Sequence, residues 1–185
     1  MDQLMLYHGR PADCAARDAA ETACYDVLDA LGIDYIRADH DALFTMNALA
    51  PVEAALGCGV AKNLFLANRQ QTDLYLLIMP GDKPFKTKYL SAQLGCSRLS
   101  FGSEELLRDY LGVTHGSASV LCLLRDEANR VRLLGDRELL GAEYFACHPC
   151  RNTSTLRFPT ADLINKLLPA LHHEITWVDL PRDVE

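Results

Sequence analysis

The stretch VAKNLFLANRQQTDLYLLIMP, residues 60–80, decides the fold of this 185-residue chain. It contains two apolar runs, NLFLAN and DLYLLIM, which the polar connection RQQT separates. Apolar runs of this length between polar segments predict two adjacent strands, joined as a hairpin. Lys62 and Asn63 stand at the entrance of the first strand. The pattern alone favours Lys62 as a solvated strand end, because lysines are rarely buried without a partner.

Helices and strands surround this pair without a regular β-α-β alternation. Helices are predicted over 13–31 (N-cap Asp13, stop Gly32), 51–57, 88–95, 103–112 (cap Ser103) and 161–173. Strands are predicted over 33–40, 97–102, 117–126, 130–136, 143–149, 153–159 and 174–180. Because several strands follow one another directly, we expect an α+β fold with a mixed, mostly antiparallel sheet and flanking helices. The chain is predicted to be one domain, 1–185, with mobile ends at about 1–11 and 180–185.

Composition excludes several classes of protein. Eighteen basic against twenty-five acidic residues give a net charge of −7, which argues against a protein that coats nucleic acid through a broad positive field. Seven cysteines in apolar surroundings favour reduced, buried thiols over a disulfide framework. Since no long apolar run or export signal is visible, we expect a cytoplasmic protein with no membrane partner.

The commonest catalytic signatures are absent. The chain has no Gly-rich phosphate loop, no HExxH and no GxSxG motif. The pair Cys147 and Cys150 precedes a predicted turn and strand rather than a helix, which disfavours thioredoxin chemistry. A zinc site needs a second pair of ligands at short spacing, and none accompanies this one. We predict no metal and no cofactor; a zinc or redox protein is the weakest alternative.

Three segments in a fixed order resemble a known family. KNLFL (62–66), GVTHGSAS (112–119) and HPCRNT (148–153) are similar to the YbaK/prolyl-tRNA-synthetase-associated editing domain, and the resemblance runs from about Ala16 to Val178. Within that family, KNLFL is most similar to free-standing prolyl-tRNA editing proteins that deacylate alanyl-tRNA(Pro). The resemblance implies the editing-domain fold and hydrolysis of the ester between a wrong amino acid and the terminal adenosine of tRNA(Pro), without a metal.

Four residues match the catalytic positions of this family. Lys62 matches its essential lysine and is expected to act as a fixed cation beside the terminal phosphate and the ester. Asn63 is expected to orient the adenosine or the attacking water. The amide of Gly116 is expected to approach the aminoacyl group, and His148 to line that pocket. Without the resemblance, His148 would be read as a structural histidine.

Further residues are expected to hold the substrate. A second sieve that admits alanine and excludes proline must be small and apolar. The predicted substrate-binding residues are Phe44, Met46, Phe65, Ser117, Ser119, Val120, Asn152 and Thr153, with Leu43 as a further wall. The predicted tRNA-binding residues are Arg69, Lys83, Lys86 and Lys88. Val120, Cys150 and Lys86 depart from the family pattern, which bears on substrate choice more than on reaction type.

The expected partners are mischarged tRNA(Pro) and prolyl-tRNA synthetase, and DNA is not expected. Two alternatives stay open at this point. The chain could deacylate cysteinyl- or another aminoacyl-tRNA with the same fold, or it could be a catalytically silent domain that binds tRNA or a synthetase.

Overall fold

The computed structural model describes residues 4–183 and confirms an α+β fold. The described strands are β1 (Leu6–His8), β2 (Ile36–Asp39), β3 (Lys62–Ala67), β4 (Leu74–Met79), β5 (Ser100–Phe101), β6 (Val131–Asp136), β7 (Tyr144–Cys147), β8 (Ser154–Pro159) and β9 (Ile175–Val178). They form two sheets, where the sequence predicted one. The first sheet, β1-β2-β8-β7, is antiparallel throughout; the second, β5-β3-β4-β6-β9, has parallel pairs β4–β6 and β6–β9.

The described helices lie between and around these sheets. They are α1 (Ala19–Ala30), α2 (Ala50–Leu56), α3 (Thr87–Leu94), α4 (Glu104–Leu111) and α5, which runs through Thr160–Asp162 and Leu168–Ala170 with a π-helical turn, Leu163–Leu167, between them. Four 3₁₀ turns are Cys14–Ala16, Met46–Leu49, Val120–Arg125 and Arg137–Gly141. Between residues 4 and 183, no helix is long and apolar enough to cross a membrane.

The predicted hairpin is confirmed and forms the centre of the second sheet. β3 and β4 pair antiparallel from Lys62↔Met79 to Ala67↔Leu74. Every residue of β4 is buried, and alternate side chains enter two different hydrophobic cores. Each such side chain contributes about 1.5–3 kcal/mol when fully buried. Lys62 therefore begins a strand that is fixed by the most deeply buried element of the fold.

Two predicted elements near the site are wrong in detail. α1 begins at Ala19 because the Asp18 carboxylate accepts a hydrogen bond from the Ala20 amide at 2.8 Å, whereas Asp13 makes no side-chain cap. The segment predicted as a strand over 117–126 contains instead the 3₁₀ turn Val120–Arg125. Its apolar run is buried on every side, and such a run does not distinguish a strand from a helical turn.

The chain ends were predicted to be mobile at about 1–11 and 180–185. Within the first of these segments, Leu6–His8 pair with β2 as strand β1. Residues 1–3 and 184–185 lie outside the described residues. The mobility of both ends stays a prediction.

Candidate active site

A cavity of about 280 Å³ opens where β3 begins. It brings together the four predicted catalytic residues, which are Lys62, Asn63, Gly116 and His148. Four predicted apolar walls also line it: Leu43, Phe44, Met46 and Phe65. These residues come from β3, from the loop before α2, from the loop after α4 and from the end of β7. The two sheets therefore meet at this cavity.

Lys62 is a half-buried cation that lines the cavity. Its Nζ donates a hydrogen bond to the Lys83 carbonyl oxygen at 2.6 Å. Among residues 4–183 no acidic oxygen lies within ion-pairing distance of it. Burial lowers the pKa of Lys62, and the more distant charge of Asp82 opposes that shift. Because an ammonium has three donors, two remain for a ligand in the cavity.

Asn63 has a polar atom that lacks a partner in the described part of the chain. Its Nδ2 donates to the Ala61 carbonyl oxygen at 3.0 Å, while its Oδ1 is buried and accepts no hydrogen bond there. A buried acceptor without a donor costs about 1–3 kcal/mol. Such atoms are rare in native proteins and are commonly explained by a functional role or a bound water.

Gly116 has a backbone conformation that side chains rarely adopt, with φ at +84°. A Cβ at this position would lie 3.3 Å from Phe44 Cδ1 and 3.5 Å from Asn152 Nδ2. No hydrogen bond from its amide is found within residues 4–183. The cavity wall is therefore bare backbone at this point, with a donor available to a ligand.

His148 is buried and neutral at neutral pH. Its Nδ1 lies 2.8 Å from the Ser154 carbonyl oxygen, with Thr155 Oγ1 at 3.2 Å. Since a carbonyl oxygen only accepts, Nδ1 carries the hydrogen and Nε2 has a free lone pair. Burial lowers the pKa of His148 to about 4, and the nearby His40 ring adds to this effect. The ring can thus accept a hydrogen bond through Nε2.

Three predicted substrate-binding residues do not line the cavity. Ser117, Ser119 and Val120 are buried in the interior, and Ser119 Oγ accepts from the Leu121 amide at 3.1 Å. Contact of these three with substrate stays a prediction. Gly116 and Ala118 of the same loop line the cavity instead.

Two further predicted residues support the wall without lining it. Asn152 Nδ2 donates to the Leu43 carbonyl oxygen at 3.0 Å, and the Leu43 amide donates back to the Asn152 carbonyl at 3.3 Å. These bonds fix the segment that carries Phe44. Thr153 is exposed, and its carbonyl accepts from the His40 amide at 3.0 Å. Contact of these two side chains with substrate stays a prediction.

The four predicted tRNA-binding residues occupy different environments. Lys83 is 3% exposed, and its Nζ lies 2.7 Å from Asp136 Oδ2 and 3.0 Å from Glu138 Oε2. The Asp136 contact is an ion pair, although its angle does not suit a hydrogen bond. Lys83 is therefore engaged inside the fold, and its role in tRNA binding stays a prediction.

The other three predicted tRNA-binding residues, two lysines and one arginine, are exposed. Lys86 and Lys88 lie at the start of α3. Arg69 lies in the connection after β3, roughly 20 Å from Lys62 along the strand direction. A role for these three in tRNA binding stays a prediction.

Sequence reasoning missed part of the cavity rim. Phe101 and His115 line it, and Phe101 is 64% exposed. In the sequence, Phe101 reads as an ordinary apolar position of a strand, so no local signal marked it. His115 lies inside the loop that was singled out, next to Gly116.

Buried thiols lie behind this site. Cys150 Sγ is 3.4 Å from Cys24 Sγ and 3.2 Å from Cys122 Sγ, and all three cysteines are free. Burial raises the pKa of Cys122 well above its usual value. Protonated thiols are poor nucleophiles and poor metal ligands. Within residues 4–183, no group of side chains suited to a metal ion is found.

Comparison with known proteins places this geometry in context. Residues 40–166 match the aminoacyl-tRNA editing domain. The chain is 32% identical over 144 residues to the prolyl-tRNA editing protein ProX of Acetoanaerobium sticklandii, covering 78% of this chain and 88% of that protein. It is 32% identical over 149 residues to prolyl-tRNA synthetase associated domain-containing protein 1 of Danio rerio, covering 80% of each.

Solved structures share the fold at lower sequence identity. A crystal structure of a candidate trans-editing enzyme for prolyl tRNA synthetase superimposes with a TM-score of 0.65 at 15% identity, covering 89% of this chain and 99% of that one. The hypothetical protein APE2540 gives a TM-score of 0.63 at 16% identity, covering 83% of this chain and 96% of that one.

Proposed function

Because the chain belongs to the aminoacyl-tRNA editing domain family, we propose that it is a trans-editing deacylase that hydrolyses the ester of mischarged tRNA(Pro), with alanyl-tRNA(Pro) as its substrate. The observation that carries this proposal is a single cavity lined by the Lys62 ammonium, the Gly116 backbone and the neutral ring of His148. A cation and a backbone amide stabilise the negative charge that develops in ester hydrolysis, and a lone pair orients the substrate.

Each group has a definite task in this reaction. A water molecule attacks the ester carbonyl carbon, the bond to the ribose oxygen breaks, and the proton that the water loses ends on the ribose oxygen. Lys62 stabilises the negative charge that develops during the attack, as does an amide donor from Gly116. His148 Nε2 accepts a hydrogen bond from a substrate hydroxyl or ammonium group and so orients the ester.

The apolar walls act as the second sieve. Phe44, Met46 and Phe65 enclose the space beside the reacting ester. A synthetase site for proline rejects alanine by only about 1–3 kcal/mol per missing methylene, so exclusion by size has to occur in a second site. In this proposal the walls beside the ester, rather than the total volume of the cavity, decide which aminoacyl group fits.

The protein leaves recognition of tRNA(Pro) largely to a partner. Its net charge is −7, and Lys83 is committed to an internal ion pair. Contact with the acceptor end is therefore limited to a few cations such as Lys86 and Lys88. The salt dependence of the affinity then corresponds to the release of only a few counterions. Prolyl-tRNA synthetase supplies the remaining selection for the tRNA.

The test is deacylation of alanyl-, cysteinyl- and prolyl-tRNA(Pro) by the wild-type protein, Lys62→Ala and Lys166→Ala. Lys166 is a matched control, because it lies on α5 beside Asp162 and outside the cavity. We expect alanyl-tRNA(Pro) alone to be lost, at a rate about 10²–10³-fold lower in Lys62→Ala and unchanged in Lys166→Ala.

Other outcomes separate the alternatives. Loss of cysteinyl-tRNA(Pro) only would identify a deacylase of different amino-acid choice. Stability of all three substrates with the wild-type protein would contradict an editing activity and favour a binding domain. Equal activity of wild type and Lys62→Ala would remove the lysine from the mechanism.

A further inference from the structure

An aromatic side chain lies exposed at the rim of the catalytic cavity. Phe101, on β5, is 64% exposed although it lines the cavity. The ring of Phe85 supports it from one side, with ring centroids 6.3 Å apart and an interplanar angle of 70°. An exposed phenylalanine does not stabilise the fold through burial. Its position against a second ring leaves one face of Phe101 open to a ligand.

The backbone fixes this ring relative to the reacting groups. Phe101 pairs with Leu66 on β3, and the Gly102 amide donates to the Phe65 carbonyl oxygen at 2.9 Å. Leu66 is four residues from Lys62 on the same strand, which is about 13 Å. The ring and the lysine therefore extend from the backbone of one sheet.

Positive charge flanks the same surface. Phe85 precedes Lys86, which is exposed, and the segment that contains both is tied to the active site because the Lys83 carbonyl accepts from Lys62 Nζ. The exposed ring of Phe101 thus lies at the rim of the cavity that Lys62 lines, and the exposed Lys86 directly follows the supporting Phe85 in the chain. Proteins bind single-stranded nucleic acid with this combination of stacking aromatics and basic groups along the backbone.

We infer that Phe101, backed by Phe85, is a stacking platform for an unpaired base of the single-stranded 3′ end of the tRNA, with Lys86 contacting a neighbouring phosphate. This inference rests on the proposed function and names how that site holds its nucleic acid. Phe44, also exposed, differs because its ring packs over Gly116 and so belongs to the amino-acid side of the cavity.

The test measures binding separately from hydrolysis. The probe is a fluorescent RNA oligonucleotide that ends in CCA and carries no amino acid. It is titrated with wild type, Phe101→Ala, Phe101→Trp and Leu140→Ala. Leu140 is a matched control, since it is an exposed apolar residue that does not line the catalytic cavity. We expect Phe101→Ala to bind about 5- to 100-fold more weakly, and Phe101→Trp and Leu140→Ala to bind as the wild type does.

A second set of probes identifies the stacked base. Three further oligonucleotides each lack one of the three terminal bases. Removal of the stacked base should weaken binding to the wild type and should not change binding to Phe101→Ala. With charged tRNA, Phe101→Ala should raise KM and leave kcat nearly unchanged.

The two proposals fail in different ways. Equal binding of the probe by wild type and Phe101→Ala, or no binding by the wild type, would overturn the platform even if the protein deacylates alanyl-tRNA(Pro). The wild type could instead bind the probe through Phe101 and deacylate no substrate. That result would support the stacking platform and contradict the editing activity.

Discussion

Two cavities lie on either side of Ala61, and they differ in charge. The catalytic cavity is the smaller, at about 280 Å³ against about 490 Å³ for the second. The second is lined by four carboxylate side chains and one arginine, which are Glu53, Asp82, Glu138, Glu143 and Arg182. A phosphate backbone is repelled by such a surface. The sign of the charge, rather than the size of the cavity, therefore indicates which one receives tRNA.

The two cavities also differ in how many polar atoms are already paired. In the second, Arg182 binds both Asp82 and Glu138, and Glu53 Oε1 accepts from the Val60 amide at 2.8 Å. In the first, Lys62 has spare donors and Asn63 Oδ1 has no partner among residues 4–183. Polar groups that are satisfied internally stabilise the fold, whereas unsatisfied ones are available for a ligand.

The largest expected effect contrasts the two lysines through stability. Lys83→Met leaves the buried Asp136 carboxylate without its cation, and we expect the free energy of unfolding to fall by about 3–5 kcal/mol. Lys62→Met removes one hydrogen bond from a half-buried site and should cost about 1 kcal/mol or less. Urea denaturation of both variants measures the difference. Equal losses of unfolding free energy in the two variants would contradict the view that Lys83 stabilises the fold while Lys62 serves a ligand.

The next effect concerns the bare backbone of the catalytic cavity. Gly116→Ala adds a methyl group against Phe44 at a φ of +84°, so the loop has to shift. A displacement near 1 Å can lower the rate about 100-fold, and we expect a loss of that order in deacylation. Gly141→Ala is the control, because a Cβ there meets nothing within 4 Å. Similar rates for the two variants would show that Gly116 is not needed for close approach.

The smallest effect is a pH dependence that belongs to His148. Its pKa is about 4 in the folded protein and about 6.5 when unfolded, so the unfolded state binds more protons between these values. The contribution of neutral His148 to stability is therefore fully present above about pH 6.5. The free energy of unfolding falls as the pH drops towards 4, by about 2 kcal/mol at pH 4.5.

The measurement is denaturant unfolding at pH 7 and pH 4.5, for wild type and His148→Asn. The variant should lose less stability than the wild type over this interval, because asparagine does not titrate. Identical pH dependence in both would mean that His148 is not the buried neutral base inferred above.

Local sequence was sufficient for the elements that depend on local chemistry. The hairpin of β3 and β4 was predicted from its apolar runs, and α4 from Ser103, whose Oγ accepts from the Leu106 amide at 3.2 Å. The division into two sheets was not predictable in this way. It depends on β2 pairing with β8, more than a hundred residues later, while Val60 and Ala146 form a single bridge between the sheets.

The candidate site shows the same limit. The resemblance of the ordered segments around Lys62, Gly116 and His148 to the editing-domain family was sufficient to predict that these residues share one cavity, whereas the residues alone were not. They did not show that Ser117 and Ser119 would be buried, because residues 117–126 were predicted as a strand and the structure has a 3₁₀ turn there. The burial of Lys83 was not predictable locally, because its partner Asp136 is distant in sequence and only the fold brings the two together.

The strand order has a consequence for how this protein emerges from the ribosome. β3, β4 and β5 are close in sequence and can pair early. The free edge of β4 pairs only after β6 has been synthesised, and β6 pairs with β9 later still. β2 likewise has one partner, β8, that is made late. Non-local pairing of this kind slows folding and leaves sheet edges open to other chains. Nearly the whole chain must therefore be synthesised before either sheet is complete, and the nascent N-terminal half depends on protection from aggregation until then.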